Sequence, residues 1–252
     1  MRSPGFLGFW VCLLLASPSV AGEWVDEQRH GNFVFRADFP LRDVAAVVEA
    51  LGELHKDIEA TLGLRCRDRD IEIHLFRSRW SYSQYIRRNV PEGVGRPALF
   101  VAGADVGRVY AYRHGDLEID LRHETTHALL HTALPYVPMW LDEGLAEYFE
   151  MPVNRRFDGS PHRRELQWAN RFGWRPNLAA LEANKTLSDM DADDYRDSWG
   201  WVHFLLHGPP PAREALDEFL KTIPTGREPT PLSISLKQRL PNLERQVIDH
   251  LR

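Results

Sequence analysis

The segment from Ile119 to Leu134 constrains the fold of this chain most, because it combines a helical pattern with two histidines four residues apart. Pro135 and Pro138 follow it, and proline interrupts helices. A second helical pattern runs from Trp140 to Glu150. We therefore predict two helices joined by a short connection that is bounded by prolines.

The two histidines, His123 and His127, belong to the sequence His-Glu-Thr-Thr-His, an H-E-x-x-H motif. Residues four apart lie on one face of a helix, so both imidazoles can reach a single zinc ion at about 2.0 to 2.1 Å. Glu124 is turned away from that pair but stands beside the water that such a metal binds, where a carboxylate can accept a proton. The motif predicts a zinc site with His123 and His127 as ligands and Glu124 as the general base.

The second helical segment contains Trp-Leu-Asp-Glu-Gly-Leu-Ala-Glu-Tyr, from Trp140 to Tyr148. With the H-E-x-x-H motif, it resembles the gluzincin zinc metallopeptidases, most closely the uncharacterised bacterial proteins called peptidase MA-like, which carry W-L-x-E-G-x-A-x-Y on a following helix. The resemblance implies that Glu143, the glutamate before the glycine, is the third zinc ligand. Fifteen residues separate His127 from Glu143, fewer than in the aminopeptidase N-like members, so the substrate class stays open.

Two further residues of these helices could take part in a metal site. Glu147 lies one turn after Glu143 and is a further ligand, a solvated carboxylate or an acceptor for the N–H of a ligand histidine. We predict the acceptor role, because ligand histidines have such partners and thermolysin-like gluzincins, which this arrangement resembles, carry an acidic residue at that spacing. His131 lies about 12 Å along the helix from His123, so one ion cannot bind both.

Farther along, the segment from Tyr195 to Leu206 resembles the helix of aminopeptidase N-like gluzincins that begins with a tyrosine. The resemblance implies that the Tyr195 hydroxyl donates to the oxyanion of the tetrahedral intermediate, and a structural tyrosine is the alternative. His203 and His207 also stand four apart, but no third ligand accompanies them and aromatic residues surround them. We predict that both are structural, with His203 as a second candidate for the oxyanion donor.

The fold predicted from these patterns is α+β. Before the metal helices, the spacing of apolar residues predicts strand 32–37, helix 41–62, strand 70–76, helix 80–88 and a hairpin of 98–102 with 108–112. Together with the resemblance, they predict a zincin-like catalytic lobe over residues 22–150, whose N-terminal α/β part ends in an edge hairpin. Residues 151–252 are predicted to form a helical C-terminal lobe.

The N-terminus predicts export from the cytoplasm. Arg2 precedes an apolar run over 6–15, and Ser19-Val20-Ala21 supplies the small residues that signal peptidase reads, so 1–21 is a predicted signal peptide. A membrane anchor is the alternative, but the run is shorter than the roughly 20 apolar residues that span a bilayer. We expect a periplasmic or extracellular protein with no stable membrane span after cleavage.

The expected function is zinc-dependent hydrolysis of peptide bonds, with Zn²⁺ as the cofactor and a peptide or protein as the substrate. In zincins, an edge strand above the metal pairs with an extended peptide, so one strand of the hairpin should hold substrate. The chain has no G-x-M-E-N motif to anchor a free amino terminus, and the choice between endo- and exopeptidase action stays open.

Two other functions are compatible with the same residues. One is an exported peptide- or envelope-binding module that retains a zincin fold without catalysis, although such a module needs no general base beside an open metal position. Another is a zinc hydrolase of a non-peptide amide. A nucleic acid partner is not expected, since the net charge is −5 and no basic run is present. Nothing in the sequence predicts an oligomeric state.

Overall fold

The computed structural model describes residues 24–252, and the predicted signal peptide lies outside that range. The described chain is a mixed α+β structure with one five-stranded sheet and ten α-helices. Among these helices, none combines the length and the apolar character that crossing a bilayer requires.

The sheet has three parallel central strands and an antiparallel strand at each edge. Its strands are β1 (Asp26–His30), β2 (Phe33–Ala37), β3 (Ile71–Phe76), β4 (Ala98–Val101) and β5 (Gly107–Tyr112). Their order is β1-β2-β3-β5-β4, so β5 pairs on both sides and β4 is the edge strand of the predicted hairpin. β1 is absent from the prediction because four of its five residues are exposed and polar, which leaves no apolar alternation.

Ten α-helices account for most of the described chain outside the sheet. They are α1 (Ala45–Leu62), α2 (Arg79–Asn89), α3 (Leu117–Ala133), α4 (Met139–Phe149), α5 (Pro161–Arg171), α6 (Leu178–Ala183), α7 (Ala192–His207), α8 (Pro210–Thr222), α9 (Leu232–Arg239) and α10 (Leu243–His250). The main hydrophobic core runs from Phe33 to Leu251 and includes residues of both predicted lobes. Apolar residues at helical spacing on α1 are buried in it, as expected for an amphipathic helix.

The connection between α3 and α4 is short and contains the two prolines that interrupt the helical pattern. Leu134 adopts an extended conformation at the end of α3, and Pro138 immediately precedes the first residue of α4. The chain therefore turns back at once, and α4 packs against α3. On its other side α4 packs closely against α7, where a Cβ added to Gly144 would lie 2.6 Å from the carbonyl oxygen of Ser198.

Candidate metal centre

The structure brings three predicted ligands together, which we call the ligand triad: His123, His127 and Glu143. The Nε2 atoms of the two histidines are 3.2 Å apart. The Oε2 atom of Glu143 lies 3.6 Å from the first of them and 3.7 Å from the second. Ligands of a tetrahedral zinc ion at 2.0 to 2.1 Å are about 3.3 to 3.4 Å apart. The separations of the triad fit a tetrahedral zinc site.

The two helices place these groups by different means. His123 and His127 share one face of α3 because they are four residues apart, and Glu143 meets them from α4 across the helix contact. Glu143 and His127 are buried, while His123 is half-buried at the wall of the cleft described below. The triad is therefore held by two packed helices rather than by loops, which favours a fixed geometry.

The other ring nitrogen of each histidine faces a carboxylate. His123 Nδ1 donates to Glu150 Oε2 over 3.2 Å, and His127 Nδ1 lies 3.1 Å from Asp142 Oδ1. When both Nδ1 atoms carry the proton, both Nε2 atoms present lone pairs. Two lone pairs 3.2 Å apart repel each other unless a cation lies between them. This pairing of histidine with carboxylate is the one that zinc ligands use.

The charges around the triad also favour a cation. Burial works against a charged His123, but hydrogen bonds to Glu143 and Glu150 outweigh it and raise its pKa well above the ordinary value. For His127, burial is likewise outweighed, chiefly by Asp142, and the pKa is raised. The carboxylates thus stabilise positive charge at this point, whether a proton or a metal ion carries it. The donor set and its charge both fit zinc.

Glu147 lies near the triad, but its hydrogen bond differs from the predicted one. Its Oε2 atom accepts from His162 Nε2 of α5 over 2.9 Å, and His162 Nδ1 donates to Glu165 over 3.0 Å. Burial opposes ionisation of Glu147, but the bond from His162 lowers its pKa. The carboxylates that lie beside the Nδ1 atoms of the triad histidines are those of Asp142 and Glu150 instead.

His131 is placed behind the site rather than in it. Its Nε2 donates to Asp142 Oδ2 over 3.1 Å, and its ring packs on Phe100 with centroids 5.5 Å apart. Asp142 therefore faces two histidines of α3 at once. These contacts hold its pKa far below the usual range despite its burial.

A cleft of about 500 Å³ opens beside the triad. It is lined by Arg96, Pro97, Ala98, Phe100, Asp120, His123, Glu124, His127, Met139, Asp142, Glu143, Glu147, Glu150, Leu187 and Tyr195. Glu124 is half-buried at this wall, beside the triad and not part of it. Six of the lining residues are carboxylates, against one arginine. The cleft is therefore acidic, as a site for a divalent cation requires.

Tyr195 and His203, the two candidate oxyanion donors, have different surroundings. Tyr195 lies in the first turn of α7 and lines the cleft. Burial, helped by Glu143, raises the pKa of its hydroxyl, so it stays a neutral donor at neutral pH. His203 is fully buried, and its nitrogens bond to His250 and to the carbonyl of Phe157. His203 is therefore closed off from the cleft, which leaves Tyr195 as the candidate donor that lines it.

Sequence reasoning missed Asp142, Glu150 and His162 as partners of the site. The signal available for the first two was that they are acidic and share a helix with Glu143, but Glu147 met the same criterion. Only the rotation of α4 about its axis decides which carboxylate faces which ring. For His162, the sequence gives no signal, since it lies 15 residues beyond the glutamate that it contacts.

Comparison with family models and with curated proteins gave no match. Among solved structures, the chain is similar to an M1 zinc metallopeptidase from Deinococcus radiodurans in a glutamate-to-alanine mutant, with 18% identity over 91% of this chain and 51% of that one and a TM-score of 0.49. A second crystal structure of an M1 zinc metallopeptidase from Deinococcus radiodurans has 17% identity over 91% of this chain and 50% of that one, with a TM-score of 0.43. A two-domain M1 zinc metallopeptidase mutant bound to L-arginine has 16% identity over 91% of this chain and 50% of that one, with a TM-score of 0.36. The chain spans about half the length of these structures, and scores of this size assign no activity.

Proposed function

We propose that this chain is an exported, zinc-dependent hydrolase of peptide bonds, of the gluzincin type and with a zincin-like fold. The observation that carries the proposal is the convergence of the ligand triad at separations of 3.2 to 3.7 Å, with Glu124 in the same cleft. A site that needed only a structural metal would be closed by a fourth protein ligand, whereas among the described residues the group at this point of the cleft consists of the three triad ligands.

The residues divide the chemistry among them. The triad would hold zinc, and when bound, zinc supplies a Lewis acid that polarises the scissile carbonyl and activates water. Glu124 takes the proton from the attacking water and returns it to the leaving amine. Tyr195, whose hydroxyl stays protonated, donates a hydrogen bond to the oxygen on which negative charge develops. Asp142 and Glu150 orient the rings of His127 and His123.

Substrate binding is proposed for β4. This strand lies at the edge of the sheet, and its residues Ala98 and Phe100 line the cleft. β5 has partners on both sides, which leaves β4 as the strand of the hairpin that can add an extended peptide by main-chain hydrogen bonds. Such binding holds the backbone of a peptide without reading its side chains.

A proline scan of β4 tests this assignment, because proline removes the backbone donor at each position. We expect kcat/KM for a mixed peptide library to fall tenfold or more at one or two positions, with zinc content unchanged. Proline in β1, at the opposite edge of the sheet, is the matched control and should leave kcat/KM for peptide cleavage unchanged. If every folded β4 variant cleaves like the wild type, β4 does not bind substrate.

The proposed function itself is tested by Glu124→Gln, which is nearly isosteric but cannot accept the proton. We expect stoichiometric zinc, an unchanged melting temperature and at least a hundredfold loss of peptide cleavage. Glu118→Gln, an exposed change on the same helix, is the control and should keep full activity. Wild-type turnover in Glu124→Gln would exclude the mechanism. A zinc-loaded wild type that binds peptides without cleaving them would favour the binding module.

A further inference from the structure

A row of cationic and aromatic side chains covers the outer face of α5. We call it the α5 outer stripe: Arg164, Trp168, Arg171 and Phe172. These residues are all exposed, and their spacing of three or four places them along one side of the helix and its C-terminal residue. Phe172 is 83% exposed and Trp168 is 59% exposed. Leu166 on the other side of α5 is fully buried in the core.

The side chains of the stripe are organised by contacts among themselves. The rings of Trp168 and Phe172 lie nearly parallel, at 12°, with centroids 6.4 Å apart. The guanidinium of Arg171 lies over the Trp168 ring, 5.0 Å from its centroid. The stripe therefore presents two large rings and a stacked cation side by side. Among the described residues, nothing packs over Phe172.

The segment that carries the α5 outer stripe differs in charge from the rest of the chain. Residues 161–175 contain four arginines and one glutamate, a net charge of +3, in a chain whose formal net charge is −5. The one glutamate, Glu165, is already bonded to His162. Arg175 adds an exposed cation just beyond the stripe. An anionic surface would thus attract this face and repel the acidic cleft.

We propose that the α5 outer stripe docks the protein on an anionic phospholipid surface. Indole and phenyl rings favour the boundary between head groups and acyl chains, where an amphipathic helix buries its apolar side chains about 5 to 10 Å deep. Arginines beside them meet the lipid phosphates, with which guanidinium groups form paired hydrogen bonds. Rings as exposed as those of Phe172 and Trp168 suit a deformable surface, because a rigid protein partner would need a cavity matched to each ring.

The docked face lies close to the candidate metal centre. His162 of α5 bonds to Glu147 in the cleft, so the lipid surface would lie about one helix diameter, 10 to 12 Å, from the cleft wall. Docking requires no metal and no catalysis, so it stands or falls independently of the proposed function.

Co-sedimentation of the mature chain, residues 22–252, with vesicles tests the proposal. The vesicles contain phosphatidylglycerol and phosphatidylcholine in equal parts, or phosphatidylcholine alone. We expect at least tenfold stronger binding to the anionic vesicles, because each arginine near an anionic surface strengthens binding roughly fivefold. This preference should be lost in 0.5 M NaCl, where salt screens the charges. Trp168→Ser with Phe172→Ser should weaken binding about tenfold or more, and Arg164→Gln with Arg171→Gln about 25-fold.

The helix α2 offers a matched control, since it carries the exposed residues Trp80 and Arg88 without a stacked second ring. Trp80→Ser with Arg88→Gln should bind anionic vesicles like the wild type. Equal binding to both vesicle types, or equal losses in the α2 and α5 variants, would overturn the proposal. So would a concentration-dependent dimer that Trp168→Ser with Phe172→Ser abolishes while vesicle binding is absent, because the stripe would then contact a second copy.

Discussion

Replacing Gly144 with alanine probes how the packing of α4 fixes the candidate metal centre. Gly144 follows Glu143 directly and faces the backbone of α7. An added Cβ would lie 2.6 Å from the carbonyl oxygen of Ser198 and 2.8 Å from its carbonyl carbon. Ordinary contact begins at 3.4 Å, so α4 and α7 must separate by about 0.8 Å to admit one methyl group. A backbone carbonyl cannot rotate aside as a side chain could.

The size of the effect follows from this displacement. Overpacking of a closely packed interior costs about 1 to 3 kcal/mol. For a chain of this length, each kcal/mol lowers Tm by about 2 to 4 °C, so a fall of about 2 to 12 °C is expected. A metal site tolerates a displacement of only about 0.5 Å, and Glu143 moves with α4. Zinc affinity should therefore drop by about tenfold or more, although no ligand has changed.

Thermal unfolding of the metal-free chain and zinc titration against a competing chelator measure the two effects separately. Gly52→Ala is the matched control, because Gly52 lies inside α1 with no atom within 4 Å of an added Cβ. That change should stabilise the fold by about 0.5 to 1 kcal/mol, since alanine loses less backbone entropy than glycine. If Gly144→Ala behaves like Gly52→Ala in Tm and binds zinc like the wild type, close packing of α4 on α7 does not hold Glu143 in place.

Three further predictions concern the metal and the acid stability of the sheet. Alanine at any one of the three triad positions should abolish stoichiometric zinc, measured by elemental analysis after dialysis; zinc retained in all three variants would exclude the site. Asp142→Asn, which weakens the partner of His127, should lower zinc affinity about 10- to 100-fold, and an unchanged titration would contradict that role. Glu72 accepts hydrogen bonds from His74 and Arg36, which lower its pKa from 4.5 to about 2. Because the folded-state pKa is the lower one, its contribution of up to about 3 kcal/mol is complete above pH 4.5 and is lost as pH falls toward 2. The free energy of urea unfolding should therefore differ most between wild type and Glu72→Gln above pH 4.5 and converge near pH 2; a gap independent of pH would refute the assignment.

Local pattern predicted most of the elements around the site. The boundaries of α3 and α4 follow from apolar spacing and from Pro135 and Pro138, and the structure has them within two residues of the prediction. β1 was not found because its polar residues lack alternation. The six-residue α6 and the eight-residue α9 and α10 were not found because short helices carry too few turns to show a period.

For the candidate site, the sequence by itself determined what depends on spacing along one helix. His123 and His127 share a face because 3.6 residues make a turn, and Glu124 then lies beside them. The tertiary structure alone decided what depends on how two helices are rotated against each other. In the folded chain, Asp142 and Glu150 lie beside the ring nitrogens of the triad histidines, and Glu147 bonds to His162. Position 144 requires glycine because the backbone of α7 passes close to it. A rotation of one helix changes every such contact while leaving its sequence pattern unchanged, so no reading of a single segment can fix it.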